Sequence, residues 1–495
     1  MSHVSSPSPA ALRGQGRPAV TLVAVLLGFL TLPMLMSGTT VALPRIGADL
    51  NASGASLQWV VVGYFLAASS LMLVAGSLGD LFGRRRIFAA GAAVYTAGAL
   101  ASAVAPGILL LDAARTLSGV GAAGVMAGGG AILGATFTGP SRTQAFAAMG
   151  TTAGVGMAIG PSLSGWLVGS LGWRPTFAGF AAVGLLIWSG SAFMAESRAA
   201  KPPRIDLPGA VTLIGALALV MFGTNQASDA GWGSARVLAP LVTGLALLVA
   251  FTMVERRSRH PVLDLGLLRD RGFMAWCLAC LFVAAGPAGV ITFLPTYLQG
   301  VSGASAQSAG FTMLMMTAPV LLMPQVGALL INHAISARTL ITFSLLLIAT
   351  GSAWLTVLHP GIGATGLLGP LATIGTGMGL VIGTSDAQAL NRVGVDRIGM
   401  AAGLLNTVRA GGATLFTALF GTALVNLLQA RIGAVDAAAR VAAGDLDGPD
   451  RALHLAEFTD AWHVVLWSVA AVCAAAAVAV WALLGRPRPP PAVPL

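Results

Sequence analysis

Fourteen apolar runs, each close to the length that crosses a bilayer, leave this chain a narrow choice of folds. A hydrocarbon core about 30 Å thick takes about 20 apolar residues at 1.5 Å each. Such runs occupy 20–42, 56–78, 87–106, 108–136, 142–168, 173–194, 207–226, 235–254, 272–294, 306–330, 338–358, 364–385, 399–426 and 458–484. In lipid an unpaired backbone group costs several kcal/mol, so each run must close its own hydrogen bonds as a helix. The expected class is an all-α integral membrane protein. Charged residues make up only 9% of the chain, against about 25% in soluble domains. The first run is too long for a signal-peptide core and is kept as a helix.

Charge fixes the expected orientation. A net charge of +10 on a soluble chain would point to nucleic acid, but here the basic residues punctuate apolar runs. No nucleic-acid partner is expected. With the N-terminus in the cytoplasm, nineteen of the 27 Lys and Arg residues fall inside and six outside, Arg45, Arg174, Arg236, Arg431, Arg440 and Arg451. Arg115 and Arg409 lie within helices. That bias is the positive-inside pattern, and it places both termini in the cytoplasm of a multi-pass plasma-membrane protein. The expected division is a cytoplasmic tail (1–19), a six-helix bundle (20–194), a linker carrying two extra helices (195–271), a second six-helix bundle (272–484) and a Pro-rich cytoplasmic tail (485–495). Two six-helix halves suggest a transporter with its site between them. A monomer is expected.

The stretch Gly76-Ser-Leu-Gly-Asp80-Leu-Phe-Gly83-Arg84-Arg85-Arg86 joins the second and third segments. Asp80 falls at a helix C-terminus, where the dipole disfavours an anion by a few tenths to about 1 kcal/mol. Arg84 is one compensating partner; the free N–H groups at another helix's N-terminus are a second. Gly76 and Gly83 allow close approach and a tight turn. The plainer reading is a positive-inside loop with an incidental acid.

Arg115 lies inside the fourth segment, at a cost of about 2.5–3.5 kcal/mol on insertion scales, so it must face protein or water. Asp112, three residues earlier, lies on the same face. The two are either functional or a buried structural pair, and Asp112 is near enough to the outer end to be solvated. The fifth segment carries Gly154, Gly156, Gly160, Pro161, Ser164 and Gly165. Glycines four apart make a flat face for close helix contact, and proline bends the helix. Cys277, Cys280 and Cys473 all lie in apolar runs, which argues against a disulfide framework and a metal site.

These motifs resemble those of the major facilitator superfamily. G-x-L-x-D-x-x-G-R-R is similar to its loop 2–3 signature, except that Leu81 stands where a basic residue is usual. The resemblance implies that Asp80, Arg84 and Arg85, with Gly76 and Gly83, latch the two halves on the cytoplasmic side against the thirteenth segment near Gly399. Arg115 followed by Gly119-Val-Gly121-Ala-Ala is similar to the family's fourth-helix motif, linked there to proton movement. Gly156, Gly160, Pro161 and Gly165 resemble the antiporter motif of its drug exporters. Val41-Ala-Leu-Pro44, Leu57-Gln58-Trp59-Val60 with Tyr64, and Gly403-Leu-Leu-Asn406-Thr-Val-Arg409 resemble the fourteen-helix drug:proton antiporter subfamily. The acid that subfamily often has in helix 1 is here Leu35, which weakens the expectation of cationic substrates and of proton coupling.

The resemblance implies proton-coupled export of a hydrophobic small molecule by alternating access, with no bound cofactor. A proton crossing 100 mV releases about 2.3 kcal/mol, enough for roughly a 50-fold gradient. The expected proton-coupling residues are Arg115, Asp112 and Asp386, though Asp386 could simply cap its helix, in which case its neutralisation is mild. The expected substrate cavity includes Trp59, Tyr64, Asn406, Arg409 and Met316, the last from a methionine-rich segment that suits either an adaptable pocket or packing. An importer or uniporter of a metabolite is the alternative, favoured by the few interior carboxylates. An enzyme is not expected, since no HExxH is present and His333, His359, His454 and His463 fall at predicted helix ends or loops; nor is a nucleotide-driven pump, since no G-x-x-x-x-G-K-[ST] is present.

Overall fold

The structure is a computed structural model describing residues 17–485, apart from 53, 199–205, 259–262, 264, 305, 334, 395–396, 434, 443, 445 and 447–450. Most of the two predicted tails, 1–16 and 486–495, lies outside the described residues, as does the Pro161 side chain. Among the described residues there is no strand. The helices are α1 (Pro18–Leu50), α2 (Gly54–Phe82), α3 (Arg84–Ala103), α4 (Ile108–Thr136), α5 (Gly139–Ser170), α6 (Trp173–Gly190), α7 (Leu207–Ala230), α8 (Ala235–Arg257), α9 (Leu265–Arg269), α10 (Arg271–Ser302), α11 (Ala306–His333), α12 (Ala337–Trp354), α13 (Ala364–Val381), α14 (Thr384–Leu390), α15 (Ile398–Ile432), α16 (Val435–Ala442) and α17 (Arg451–Leu484).

A helix forms at each of the fourteen predicted places. Twelve are long and apolar enough to cross a membrane among the described residues; α5 and α7 are not in that set. Most run past the predicted ends because about 20 residues suffice for the hydrocarbon, and the helix continues into the polar layer. The predicted segment 364–385 is broken. Gly383, at φ +78°, ends α13 and starts α14, a backbone shape that only glycine adopts without strain.

Helices α1 to α6 pack on one another, α3 with α4 and α1 with α5 most intimately, and α10 to α17 form a second group through α10–α15, α12–α13 and α12–α17. The extra pair, α7 and α8, lies beside the seam of α2 and α15. Phe222 of α7 stacks on Trp59 of α2 at 5.7 Å, and the Trp232 indole N–H donates to Thr422 of α15 at 2.7 Å. At the end of the molecule away from Asp80, Asp49 accepts from Arg174 and from the Trp173 indole, the latter at 3.0 Å. The Arg174 guanidinium, then that indole, holds the Asp49 carboxyl below the usual carboxylate range, so this tie is present at neutral pH and lost as the medium becomes strongly acidic. On the same end Arg431 bonds Glu457 at 2.8 Å and Asp460 at 3.3 Å, joining α15 to α17.

Candidate gate and charged clusters

Asp80 lies two residues from the end of α2 and is buried. One carboxylate oxygen accepts from Arg84 Nε at 3.0 Å and Nη2 at 2.8 Å, and from the Gly399 N–H at 3.1 Å. The other accepts from the Met400 N–H at 2.9 Å. Gly399 and Met400 are in the first turn of α15, whose N–H groups have no partner within their own helix. Both compensations expected from the sequence are thus present together. The acid disfavoured by its own helix's dipole is held by the positive end of another and by a buried arginine. A Cβ at Gly76 would collide with the Gly399 carbonyl, and a Cβ at Gly399 with Gly76 and with Asp80 itself. The two helices touch through bare backbone.

The loop has a second anchor that the sequence does not announce. Glu196, just after α6, accepts from the Arg85 N–H at 3.2 Å and the Ser197 N–H at 3.1 Å, and lies 3.7 Å from Arg86 Nε. It therefore sits at the N-terminus of α3, where an anion is favoured. Arg85 contributes its backbone N–H to this anchor, within the first group of helices, rather than reaching the second. Gly83 has φ +113°, and a Cβ there would strike the Glu196 carboxylate. Gly83→Ala is therefore expected to cost about 1–3 kcal/mol of backbone strain plus displacement of Glu196. A melting temperature of the purified protein lowered by several degrees, with export reduced, is the expected reading.

Further close approaches between the two groups lie towards the Asp80 end, and Gly154 of α5 meets Val320 of α11 nearer mid-helix. Gly150 of α5 meets Ile382, the Phe146 backbone meets Gly383, and Gly403 of α15 meets Met72 and Leu73 of α2. Arg142, at the start of α5, donates to Asn391 at 2.6 Å and to the Phe137 carbonyl at 2.8 Å. Arg142 and Asn391 are a second cross-link with no local sequence signal.

Arg115 is fully buried, as its position in a helix required. Its Nε donates to the Val60 carbonyl of α2 at 3.1 Å, and the guanidinium lies over the rings of Tyr64 (4.5 Å) and Phe177 (5.4 Å). Two aromatic faces thus supply much of its attraction. Of the readings left open, the buried pair with Asp112 does not form. The long arginine side chain turns towards α2 and α6, while the short Asp112 stays half-buried with one oxygen enclosed and without a hydrogen bond. Arg115→Ala is expected to lower turnover at least tenfold with insertion retained. Arg115→Lys restores it only in part, because an ammonium cannot stack between two rings and also reach Val60. Initial export rates normalised to inserted protein check this.

The glycine face of α5 packs on α1. A Cβ at Gly156 would collide with the Leu30 carbonyl, Gly160 and Ser164 lie against Gly38, and Gly165 faces Val41. Gly154 points the other way, to Val320 of α11 across the seam. The motif glycines Gly156, Gly160 and Gly165 thus make contacts within the first group, and Gly154, outside the motif, makes one with the second.

A charged cluster sits in the second group. Asp386, in the first turn of α14, bonds Arg409 of α15, and Arg409 also donates to Asn406 at 3.0 Å. Cys280 of α10 points its thiol at Asp386 at 3.7 Å. Asp386 is buried and the Arg409 side chain is 32% exposed. The simple cap reading of Asp386 is corrected: it is one half of an ion pair. Three predicted cavity residues belong to helix contacts instead. Trp59 stacks against α7, Tyr64 lies under Arg115, and Met316 is buried with its backbone against Gly375 of α13. Large side chains in an apolar helix gain most by filling such contacts. Leu35 is likewise buried in the first group's core.

The comparisons with known proteins agree with this arrangement. The Major Facilitator Superfamily profile matches residues 25–417. The puromycin resistance protein pur8 of Streptomyces alboniger is 35% identical over 79% of this chain and 78% of its own length. The cephamycin export protein CmcT of Amycolatopsis lactamdurans is 36% identical over 75% of this chain and 78% of its own. Among solved structures, the human organic anion transporter MFSD10 (TETRAN) superposes with a TM-score of 0.60 at 16% identity, covering 94% of this chain and 98% of its own, a likeness of fold alone. With its helical membrane architecture, its Asp80 clasp and these relatives, the chain belongs to the Major Facilitator Superfamily.

Proposed function

We propose that this protein is a secondary active exporter of hydrophobic small molecules such as antibiotics, driven by protons and working by alternating access across fourteen membrane crossings. The moving bodies are the bundles 20–194 and 272–484, with the α7–α8 pair attached at the α2–α15 seam and both termini in the cytoplasm. The observation that carries the reading is the clasp of Asp80 on the first turn of α15. It is a bond between the two groups, made of one charge and backbone N–H groups, that can open and reclose without repacking a core. With the clasp shut, the close approaches named above run from the Asp80 end to mid-helix, which fits a state open towards the other side. The relatives named for puromycin resistance and cephamycin export support small-molecule export.

Proton coupling rests on the two charged clusters. Asp386 and Arg409 form a pair whose arginine is partly exposed, so a proton arriving at Asp386 would free Arg409 and favour a different packing of α14 on α15. The rival, facilitated passage without a proton, draws on Leu35 standing where the subfamily's helix 1 acid would be. One experiment separates the two. Export of a panel of antibiotics and dyes is followed in energised cells with and without the protein, and with and without a protonophore. Collapse of export on addition of protonophore is expected. Export that continues down its own gradient regardless would favour the rival.

A further inference from the structure

Helices α7 and α8 form one unit. A Cβ at Gly223 would meet Leu241 and the Val237 carbonyl of α8, and one at Gly244 would meet Val220 and the Ala216 carbonyl of α7. The pair is thus joined through bare backbone. At the start of α7 the Gly209 N–H donates to Asp206 at 2.9 Å, and a Cβ on Gly209 would strike the carboxylates of both Asp206 and Glu255.

Against α15 this unit keeps a register. Met221 meets Gly411, where a Cβ would lie 3.4 Å from its methyl, and the Trp232 indole N–H donates to Thr422 at 2.7 Å. Both pairs are 190 residues apart in the chain, so α7 and the turn after it run parallel to α15 over eleven residues, about 16 Å. Val237, Leu241 and Ala418 close an apolar cluster around Trp232. The contact with α2 is of a different kind. Helix α2 ends where α15 begins, at the Asp80 clasp, so it runs antiparallel to both. Phe222 lies on Trp59 with ring centroids 5.7 Å apart and planes 19° from parallel. Trp59 stands 21 residues before Asp80, about 32 Å away along α2.

A tilt of one half against the other moves Trp59 relative to α15, and α7 cannot follow both. Breaking the α15 register strands the Trp232 indole N–H, whereas two flat rings part or slide without leaving a polar group unpaired. We infer that the α7–α8 pair is a strap carried by the second group, moving with α15 as one body, and that the Trp59–Phe222 stack parts and re-forms as the halves rock. The inference rests on the exporter reading, which supplies the rocking. The stack then belongs to the clasped state, and it backs the Asp80 clasp from the far end of the same seam.

The test uses the full chain in proteoliposomes, with puromycin and ethidium as probes. A short bis-methanethiosulfonate reagent joins cysteine pairs through bonds that a reducing agent cleaves, and mass spectrometry reads the linked fraction. The parent, whose Cys277, Cys280 and Cys473 are buried, is treated alongside. Linking W232C to T422C should leave export as it was before treatment. Linking W59C to F222C should abolish export, with recovery on reduction. Export blocked by the first link, or untouched by the second, overturns the strap. Where a cysteine variant is inactive before treatment, distances decide. Spin labels pair Val249 of α8 with Val478 of α17, and Val249 with Leu186 of α6, all exposed or partly exposed sites, in the parent and in Asp80→Asn. A constant first distance with a changed second is expected. A changed first distance, or no change in either, overturns the inference. Failure of the parent to export either probe tells against the exporter reading instead, and the distances still judge the strap.

Discussion

Asp80→Asn is expected to abolish net export while the protein still inserts and folds. The carboxylate accepts four N–H groups, two from Arg84 and two from the first turn of α15. An asparagine keeps one acceptor oxygen, turns its NH2 towards a donor, and leaves Arg84 buried without its counter-charge. Breaking one side of a buried pair costs about 3–5 kcal/mol. Of the four bonds, the two from the Gly399 and Met400 N–H groups join the halves, and weakening these charge-assisted bonds, each worth about 1.5–3 kcal/mol, falls on the clasped state alone. A bias of about 3 kcal/mol shifts a two-state equilibrium by roughly a factor of 100. The variant should therefore rest with its Asp80 end open and fail to recycle. Export assays in proteoliposomes, with reconstituted protein quantified, check this. Near-normal flux would remove the clasp from the cycle.

The second large effect is expected at Asp386→Asn. This variant leaves Arg409 beside Asn406 with no anion among the bonds described above. Because the arginine is 32% exposed, the stability cost should fall below the fully enclosed case, at about 2 kcal/mol. The double variant Asp386→Asn/Arg409→Gln removes both charges and should recover most of that stability. Transport separates structure from coupling. If the pair only holds α14 on α15, the double variant regains export along with stability. If Asp386 carries the proton, the double variant is stable yet shows no pH-driven flux. We expect the second result, read as export rate against an imposed pH step, with melting temperature measured on the same preparations.

Much of this molecule is written in short-range features. Apolar length alone marks the helices, because lipid forbids an unpaired backbone. The Asp80 loop is legible because an acid at a helix C-terminus demands a partner, and both candidate partners are used. The glycine spacing of α5 reads correctly as a contact face, since four-residue repeats lie on one side of a helix. What is not legible depends on residues far apart in the chain. Glu196 sits 113 residues after Gly83 and looks like any linker acid until the loop folds against it. Arg142 and Asn391 carry no pattern that would pair them. The cavity assignments of Trp59, Tyr64 and Met316 fail for a physical reason. In a membrane helix every face is apolar, so sequence does not separate a side facing a cavity from one facing a neighbouring helix. The break at Gly383 is hidden because a glycine within an apolar run is compatible with a continuous helix, and only its positive φ reveals the interruption.

The central claim is that the Asp80 clasp decides which end of the molecule is open. Paired spin labels at exposed sites test it directly, one pair at Ser141 and Gly394 on the Asp80 end and another at Leu171 and Gly361 on the opposite end, with distances measured in the parent and in Asp80→Asn. The account predicts reciprocal change in the variant: the first distance lengthens and the second shortens. Distances that stay the same, or that both move in one direction, would contradict it.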